Sequence, residues 1–191
     1  MIDNNNVQIP KVTFDINGEL VMDASATSSK NDFDFLNGNH TVYHKKLKSR
    51  LKNNNEWYEF EGTHSQELIL NGGGNIEQQK MIDDDGKPIE GTAIRLFNPK
   101  TKLWSIYWAD SKNVKLDPPV VGSFENKIAH FFTKDIFNNK KILVAFQWNA
   151  RETAAPIWRQ AFSDDNGQTW EWNWYMYFSK IEINKAKKTK G

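Results

Sequence analysis

Short stretches of alternating side chains, separated by turn residues, recur along most of this sequence. In the stretch from Trp170 to Phe178, large apolar side chains occupy every second position. Successive side chains of a β-strand point to opposite faces of the sheet, so these rings are predicted to share one face. Helical periodicity is almost absent. The pattern predicts about ten strands joined by hairpin-sized turns, with one short helical turn at Asp32–Leu36 before the main series.

Regular spacing of strands and turns favours an antiparallel barrel or sandwich over a fold that alternates strands and helices. A continuous meander closes most naturally into an up-and-down barrel, which leaves no exposed strand edges. We therefore predict an all-β protein in which residues 31–182 form an antiparallel up-and-down barrel. Residues 1–30 are predicted to be an N-terminal arm or lid, and residues 183–191 a basic disordered tail.

Composition narrows the chemistry that the chain can carry. Its 191 residues include no cysteine, which excludes disulfides, thiolate metal sites and a cysteine nucleophile. The formal net charge is only +1, so no global field draws the protein to nucleic acid or to an anionic membrane. We see no basic leader followed by an apolar stretch, and no apolar run of about 20 residues. The expectation is a soluble, cytoplasmic protein without nucleic-acid or membrane partners.

Aromatic residues make up 13% of the chain and include eight Trp. Two further strands carry rings on one face, in the series Trp104-Ile106-Trp108 and Val144-Phe146-Trp148. Such rings either fill a packed core or line a cavity, and a barrel of this strand number has room for a small ligand. The predicted ligand-binding residues are Trp57, Trp108, Trp148, Gln160, Trp172 and Trp174.

A few polar residues interrupt these apolar series. Arg95 alternates with apolar residues of its strand, and Glu59 shares a face with Trp57. A charge that faces inward needs a partner, so one hypothesis is an Arg95–glutamate pair inside the barrel. The alternative is that each charge faces solvent. Candidate catalytic residues, if the protein is an enzyme, are His44, Glu59 and Arg95. The four histidines lack the spacing of a metal site, so neither a metal nor a cofactor is predicted.

Residues 163–170 read Ser-Asp-Asp-Asn-Gly-Gln-Thr-Trp and match the pattern S-x-D-x-G-x-T-W. This segment resembles the Asp-box of sialidase-type propellers and other β proteins, where the box has a structural role. Its polar side chains are expected to satisfy backbone groups of the turn, with Gly167 at a positive φ and Trp170 packed under the hairpin. A sialidase would need several such boxes and a longer chain, so only a hairpin is predicted.

Blocks spread over residues 32–180 form a second resemblance. They are Phe33–Val42, Glu56–Thr63, Arg95–Pro99, Trp104–Trp108, Gln160–Ser163 and Asn173–Trp174. Together they resemble a family of uncharacterised bacterial calycin-like (lipocalin-like) β-barrel domains. The resemblance implies a barrel with a central pocket, and it implies no particular activity. One position departs from the family: His40 stands where a Trp is expected two residues after the glycine, which would place a polar group at the closed end of the barrel.

Three functions fit these features. The first is a binding protein that holds a small apolar or aromatic molecule in an aromatic-lined cavity. The second is a cofactor-free enzyme, such as a cyclase or isomerase, in which polar groups position or protonate the substrate. The third is a packed barrel that serves as an interaction module.

The interior of the barrel distinguishes these functions. An inward His–Glu or Arg–Glu pair beside open volume would favour the enzyme, and a wholly apolar cavity would favour the binding protein. A solid interior with an exposed apolar patch would favour the module. The identity of the ligand and the oligomeric state, including a homodimer, are left open by the sequence.

Overall fold

The computed structural model of the chain describes residues 7–181, which consist mainly of β-strands. Two short strands, β1 (Thr13–Phe14) and β2 (Leu20–Val21), pair with each other near the start. The ten longer strands are β3 (Gly38–Leu47), β4 (Trp57–Ile69), β5 (Gly74–Ile82), β6 (Pro88–Asn98), β7 (Leu103–Asp110), β8 (Val120–Glu125), β9 (Ile128–Phe137), β10 (Lys140–Asn149), β11 (Ile157–Ser163) and β12 (Glu171–Lys180). Single 3-10 turns lie at Asp34–Leu36 and Leu70–Gly72.

Each of the ten longer strands pairs with its neighbour in the chain, and β12 pairs with β3 to close the sheet. Every pair is antiparallel. The prediction of an all-β, antiparallel, up-and-down barrel of about ten strands is confirmed. The helical turn predicted before the barrel is also present, as the 3-10 turn at Asp34–Leu36.

The predicted aromatic face of β12 is interrupted by a β-bulge. Gln160 of β11 pairs with Trp174, whereas the next residue, Ala161, pairs with Trp172. Asn173 is therefore an extra residue on β12, and a shift of one residue turns the side chains that follow to the opposite face. Trp174 faces the interior, but Trp172 lies on the outer face. The prediction of one continuous aromatic face along this strand is wrong for that reason.

One end of the barrel is covered by the segment Phe33–Leu36. The ring of Phe33 packs edge-on against Trp104 and Phe124, with ring centres 5.0 and 4.9 Å apart. Edge-to-face pairs of this kind add about 0.5–1.5 kcal/mol each beyond the burial of their area. Leu36 is fully buried beneath the same end. We call this side the closed end, and the opposite side, where β3 ends and β4 begins, the open end.

Residues 7–30 run along the outer wall of the barrel. The carbonyl oxygen of Val7 accepts hydrogen bonds from Gln147 Nε2 at 3.1 Å and from Arg159 Nη2 at 2.8 Å. Farther along, the hydroxyl of Ser28 donates to the carbonyl oxygen of Lys102 at 2.7 Å. These contacts attach the segment to the outer face and to the closed end. The predicted basic tail, residues 183–191, lies outside the described residues.

The hairpin between β11 and β12 has the local structure predicted from its sequence. Asp165 accepts hydrogen bonds from the backbone N–H and the hydroxyl of Thr169, at 2.9 and 2.6 Å. Gly167 has φ of 83°, a region that glycine occupies without the cost that a side chain brings. The ring of Trp170 lies 6.0 Å from that of Phe132 on the outer face. The segment fixes the hairpin and takes no part in the barrel interior.

Candidate binding cavity in the barrel

A cavity of about 240 Å³ lies inside the barrel, toward the open end. Large rings from four strands form most of its wall: Trp108, Phe146, Trp148, Trp158, Phe162 and Trp174. Its floor, next to the closed end, includes Glu77, Gln79 and Arg95. A groove of about 600 Å³ beside residues 111–116 is larger, but it lies outside the barrel and most of its lining residues are polar. The internal cavity is therefore the better candidate site.

The position of Trp108 depends on a glycine in the neighbouring strand. Gly91 of β6 lies beside this indole, and a Cβ atom added at Gly91 would come within 2.1 Å of the Trp108 ring. The absence of a side chain thus allows the indole to lie directly against the backbone of β6. This local feature of the sequence shapes the wall of the cavity near its open end.

His44 holds Trp174 in place behind the wall of the cavity. Its Nδ1 accepts a hydrogen bond from Trp174 Nε1 at 3.2 Å, and its ring stacks on Phe60 with centres 4.4 Å apart. Burial, together with the nearby charge of Lys46, lowers the pKa of His44 to about 3. The imidazole is therefore neutral at neutral pH, as an acceptor of this hydrogen bond must be at that nitrogen.

A buried carboxylate, Glu77, is the centre of the cavity floor. One of its oxygens accepts from Gln79 Nε2 at 2.5 Å. The other contacts His64 Nε2 at 3.1 Å and pairs with Arg95 Nη2. Burial by itself would raise the pKa of Glu77, but the charges of Arg95 and His64 and their hydrogen bonds outweigh it and lower that pKa. The carboxylate is thus held ionised inside the barrel.

Arg95 connects this floor to the closed end. Its Nη1 donates to Gln66 Oε1 and to Asn75 Oδ1, both at 3.0 Å. Gln66 in turn donates to the carbonyl oxygen of Phe33 at 3.0 Å, and the guanidinium lies 4.9 Å from the Phe33 ring. The inward Arg95–glutamate pair that the sequence suggested is confirmed, with Glu77 as the partner.

His40 extends the network away from the cavity. Its Nδ1 lies 3.2 Å from Nδ1 of His64, and the residue is fully buried. Burial lowers the pKa of His40 to about 4, and the charges of His64 and Lys180 act in the same direction. A polar group thus stands near the closed end of the barrel, at the position where the sequence departs from the calycin-like pattern.

Several hydrogen-bonding atoms in and around this floor have no partner within the described part of the protein. Within residues 7–181, five buried side-chain atoms have no partner, and all belong to this network or to the adjoining wall: His40 Nε2, Asn75 Nδ2, Gln79 Oε1, Arg95 Nε and Trp148 Nε1. Native proteins pair nearly all such atoms, because each one left unpaired costs about 1–3 kcal/mol. Their concentration at one place therefore points to a functional floor.

The structure brings most of the predicted site residues together. The predicted residues that line the cavity are Arg95, Trp108, Trp148, Gln160 and Trp174. His44 lies inside the barrel, behind Trp174. Gln160 is fixed by a hydrogen bond from its Nε2 to Asn173 Oδ1 at 2.8 Å.

Three predicted site residues lie on the outer face instead and do not line the cavity. The even-numbered residues of β4 face inward, as the pairing of Phe60 with His44 requires, so Trp57 and Glu59 point outward. The Trp57 ring accordingly lies 5.6 Å from that of Tyr175 on the outside. Trp172 is turned outward by the bulge in β12.

Sequence reasoning missed several residues of the floor, above all Glu77, Gln79 and His64. The segment Asn75–Met81 carries polar side chains on both faces, so its alternation does not reveal which ones face inward. A hydrogen-bond network between strands that are distant in the sequence also has no local signature. Only the pairing of β4, β5 and β6 brings these groups into contact.

No protein-family model and no curated protein matches this chain. The resemblance to calycin-like barrels therefore stays a prediction, as do a cytoplasmic location and a homodimer. Within residues 7–181, no helix has both the length and the apolar character that crossing a membrane requires. The same residues contain no group of three His, Asp or Glu side chains placed to hold a metal ion.

Proposed function

We propose that the protein binds a small, flat aromatic or apolar molecule inside the barrel. The observation that carries this proposal is the cavity of about 240 Å³ with walls of aromatic rings. An engineered apolar cavity of about 150 Å³ takes up benzene, so this one has room for a compound of one or two rings. Burial of such a compound against the rings removes apolar surface from water on both sides, at about 25 cal/mol per Å².

A cofactor-free enzyme, such as a cyclase or isomerase, is the second candidate. The Arg95–Glu77 pair beside open volume favours it, because an inward pair of this kind is expected of an active site. Glu77, however, is engaged by three partners, and its pKa is lowered by Arg95 and His64 against the effect of burial. A general base works best with a pKa near the working pH. The pair is better suited to fix a polar group than to move a proton, so binding takes first place.

Calorimetric titration of the full chain with naphthalene tests the proposal. We expect saturable binding with a Kd of about 10 μM or lower. Ala93→Leu, which places a larger side chain on the cavity lining, should weaken binding about tenfold or more. The matched control is Ala109→Leu, on the opposite face of the neighbouring strand, which should leave the affinity unchanged.

Two outcomes of this experiment would count against the proposal. The first is that neither naphthalene nor its monocyclic analogue toluene binds. The second is an equal loss of affinity in the two variants. Native mass spectrometry of the purified protein provides a second measurement, since a compound that co-purifies would identify the natural ligand. Conversion of that compound on incubation with fresh protein would raise the enzyme above the binding protein.

A further inference from the structure

Three of the unpartnered atoms belong to side chains that line the cavity itself. They are Gln79 Oε1, Arg95 Nε and Trp148 Nε1. The residues are 4%, 3% and 1% exposed, so none of these atoms meets bulk water. The atoms are covered by neighbouring side chains, so contact with a ligand requires the floor side chains to rotate, and rotamer changes of this kind are common on binding.

The orientation of the Gln79 amide is fixed by its neighbour. A carboxylate only accepts hydrogen bonds, so the group that Gln79 directs at Glu77 Oε1, 2.5 Å away, has to be its NH2 group. The carbonyl oxygen, Oε1, is therefore the atom left without a partner. What the floor lacks at this point is a hydrogen-bond donor.

The other two atoms have the opposite need. Arg95 Nε and Trp148 Nε1 both carry a hydrogen and can only donate. The two side chains are neighbours, because the guanidinium of Arg95 lies 5.9 Å from the Trp148 ring. Arg95 is also joined to Gln79 through the shared carboxylate of Glu77. The acceptor and the two donors thus belong to side chains that are neighbours or share Glu77 as a partner.

We propose that the ligand carries a neutral hydroxyl group on its ring and enters the barrel hydroxyl first. This inference rests on the proposed function, since it assigns the chemistry of the buried end of the same ligand. A hydroxyl donates one hydrogen bond, to Gln79 Oε1, and accepts from Arg95 Nε or Trp148 Nε1. A ketone or ether could only accept, and a hydrocarbon would leave all three atoms unpaired.

Charge balance distinguishes a hydroxyl from a carboxylate. The positive charge of Arg95 is already paired with Glu77, so a ligand carboxylate would bring a second negative charge beside the first. Two carboxylates in one buried site repel each other, and burial of an unpaired charge is costly. A phenol-type hydroxyl meets the same hydrogen-bonding needs without adding a charge.

The test compares four compounds of similar size by calorimetric titration of the wild-type chain. The compounds are 2-naphthol, 2-methoxynaphthalene, 2-methylnaphthalene and 2-naphthoate. We expect 2-naphthol to bind about tenfold more tightly than 2-methylnaphthalene, and also more tightly than the ether and the acid. Equal affinities for 2-naphthol and 2-methylnaphthalene would overturn the hydroxyl inference and leave the proposed function standing. If none of the four compounds binds, the proposed function and the hydroxyl inference both fail. If 2-naphthoate binds most tightly, the floor selects an anion and the hydroxyl inference is overturned.

Two variants locate the effect in the floor. Gln79→Leu removes the acceptor and should abolish most of the preference for 2-naphthol over 2-methylnaphthalene. Gln78→Leu, on the opposite face of the same strand, is the matched control and should keep the preference. Near-ultraviolet circular dichroism verifies the fold, and Trp148→Phe replaces Gln79→Leu if the latter does not fold. A full preference retained in both floor variants would refute the assigned contacts.

Discussion

The two halves of the barrel interior are built from different chemistry. In the floor, Glu77 and Arg95 lie in a hydrogen-bond network in which each group depends on several others. In the wall, rings such as Phe146 and Trp158 contact each other edge-on, with centres 4.9 Å apart, and border open volume. A hydrogen-bond network fixes the orientation of the groups that form it. Rings beside a cavity define its shape and tolerate substitution. One barrel interior thus joins a polar floor of fixed geometry to an apolar wall shaped by rings.

The largest expected effect comes from breaking the floor at Arg95. Arg95→Met should lower the free energy of unfolding by about 3–5 kcal/mol, because it removes the guanidinium that pairs with the buried carboxylate of Glu77. Urea denaturation followed by circular dichroism measures this loss. The double variant Arg95→Met with Glu77→Gln removes both charges and should recover most of the lost stability. A double variant no more stable than the single one would show that the two residues do not act as a pair.

A smaller effect is expected from the wall. Phe146→Ala should cost about 2 kcal/mol, below the range of about 3–5 kcal/mol for a fully packed ring, because this side chain already borders the cavity. The same variant should bind bulkier compounds, such as anthracene, more tightly than the wild type does. A loss as large as that of Arg95→Met would remove the contrast between wall and floor. Urea denaturation and calorimetric titration supply the two measurements.

Acid should destabilise the protein through its buried histidines. Burial lowers the pKa of His40 and of His130 to about 4, and that of His44 to about 3, from an ordinary value of 6.5. Above pH 6.5 these histidines are mainly neutral in both the folded and the unfolded chain, so they make stability depend little on pH. As the pH falls from 6.5 toward 4, the unfolded chain binds protons that the folded protein excludes, so stability is lost.

The slope of this loss can be measured. Each such histidine contributes about 1.4 kcal/mol per pH unit across the window. Replacing one of them, in His44→Asn, should reduce the slope by that amount while leaving the acid sensitivity from the other two. Urea denaturation at several pH values gives the slope directly. An unchanged slope would mean that His44 is protonated in the folded barrel.

The smallest effect is expected outside the barrel. Glu59→Gln changes an exposed side chain on the outer face of β4, so stability should change by less than about 0.5 kcal/mol. Affinity for naphthalene should not change either. A loss of binding in this variant would show that the functional surface includes the outer wall, and would overturn the distinction between inside and outside on which the site depends.

Local periodicity was sufficient to predict the strands, their closure and the inward faces of β7 and β10. The series Trp104-Ile106-Trp108 and Val144-Phe146-Trp148 both face the interior, as their alternation indicates. The Asp-box hairpin was equally readable, because its contacts join residues within a few positions of each other. These features depend on contacts between near neighbours in the chain, so short segments of the sequence are enough to predict them.

Tertiary structure alone decided which polar groups meet. The sequence suggested a glutamate partner for Arg95 without identifying it, and it missed Glu77, because the face that a strand presents to the interior depends on its pairing with its neighbours. The bulge at Asn173 shows the same limit, since one extra residue sends Trp172 outside and Trp174 inside. The sequence by itself determined a ten-stranded barrel rich in inward rings, and register, a property of strand pairs, determined its polar floor and its cavity.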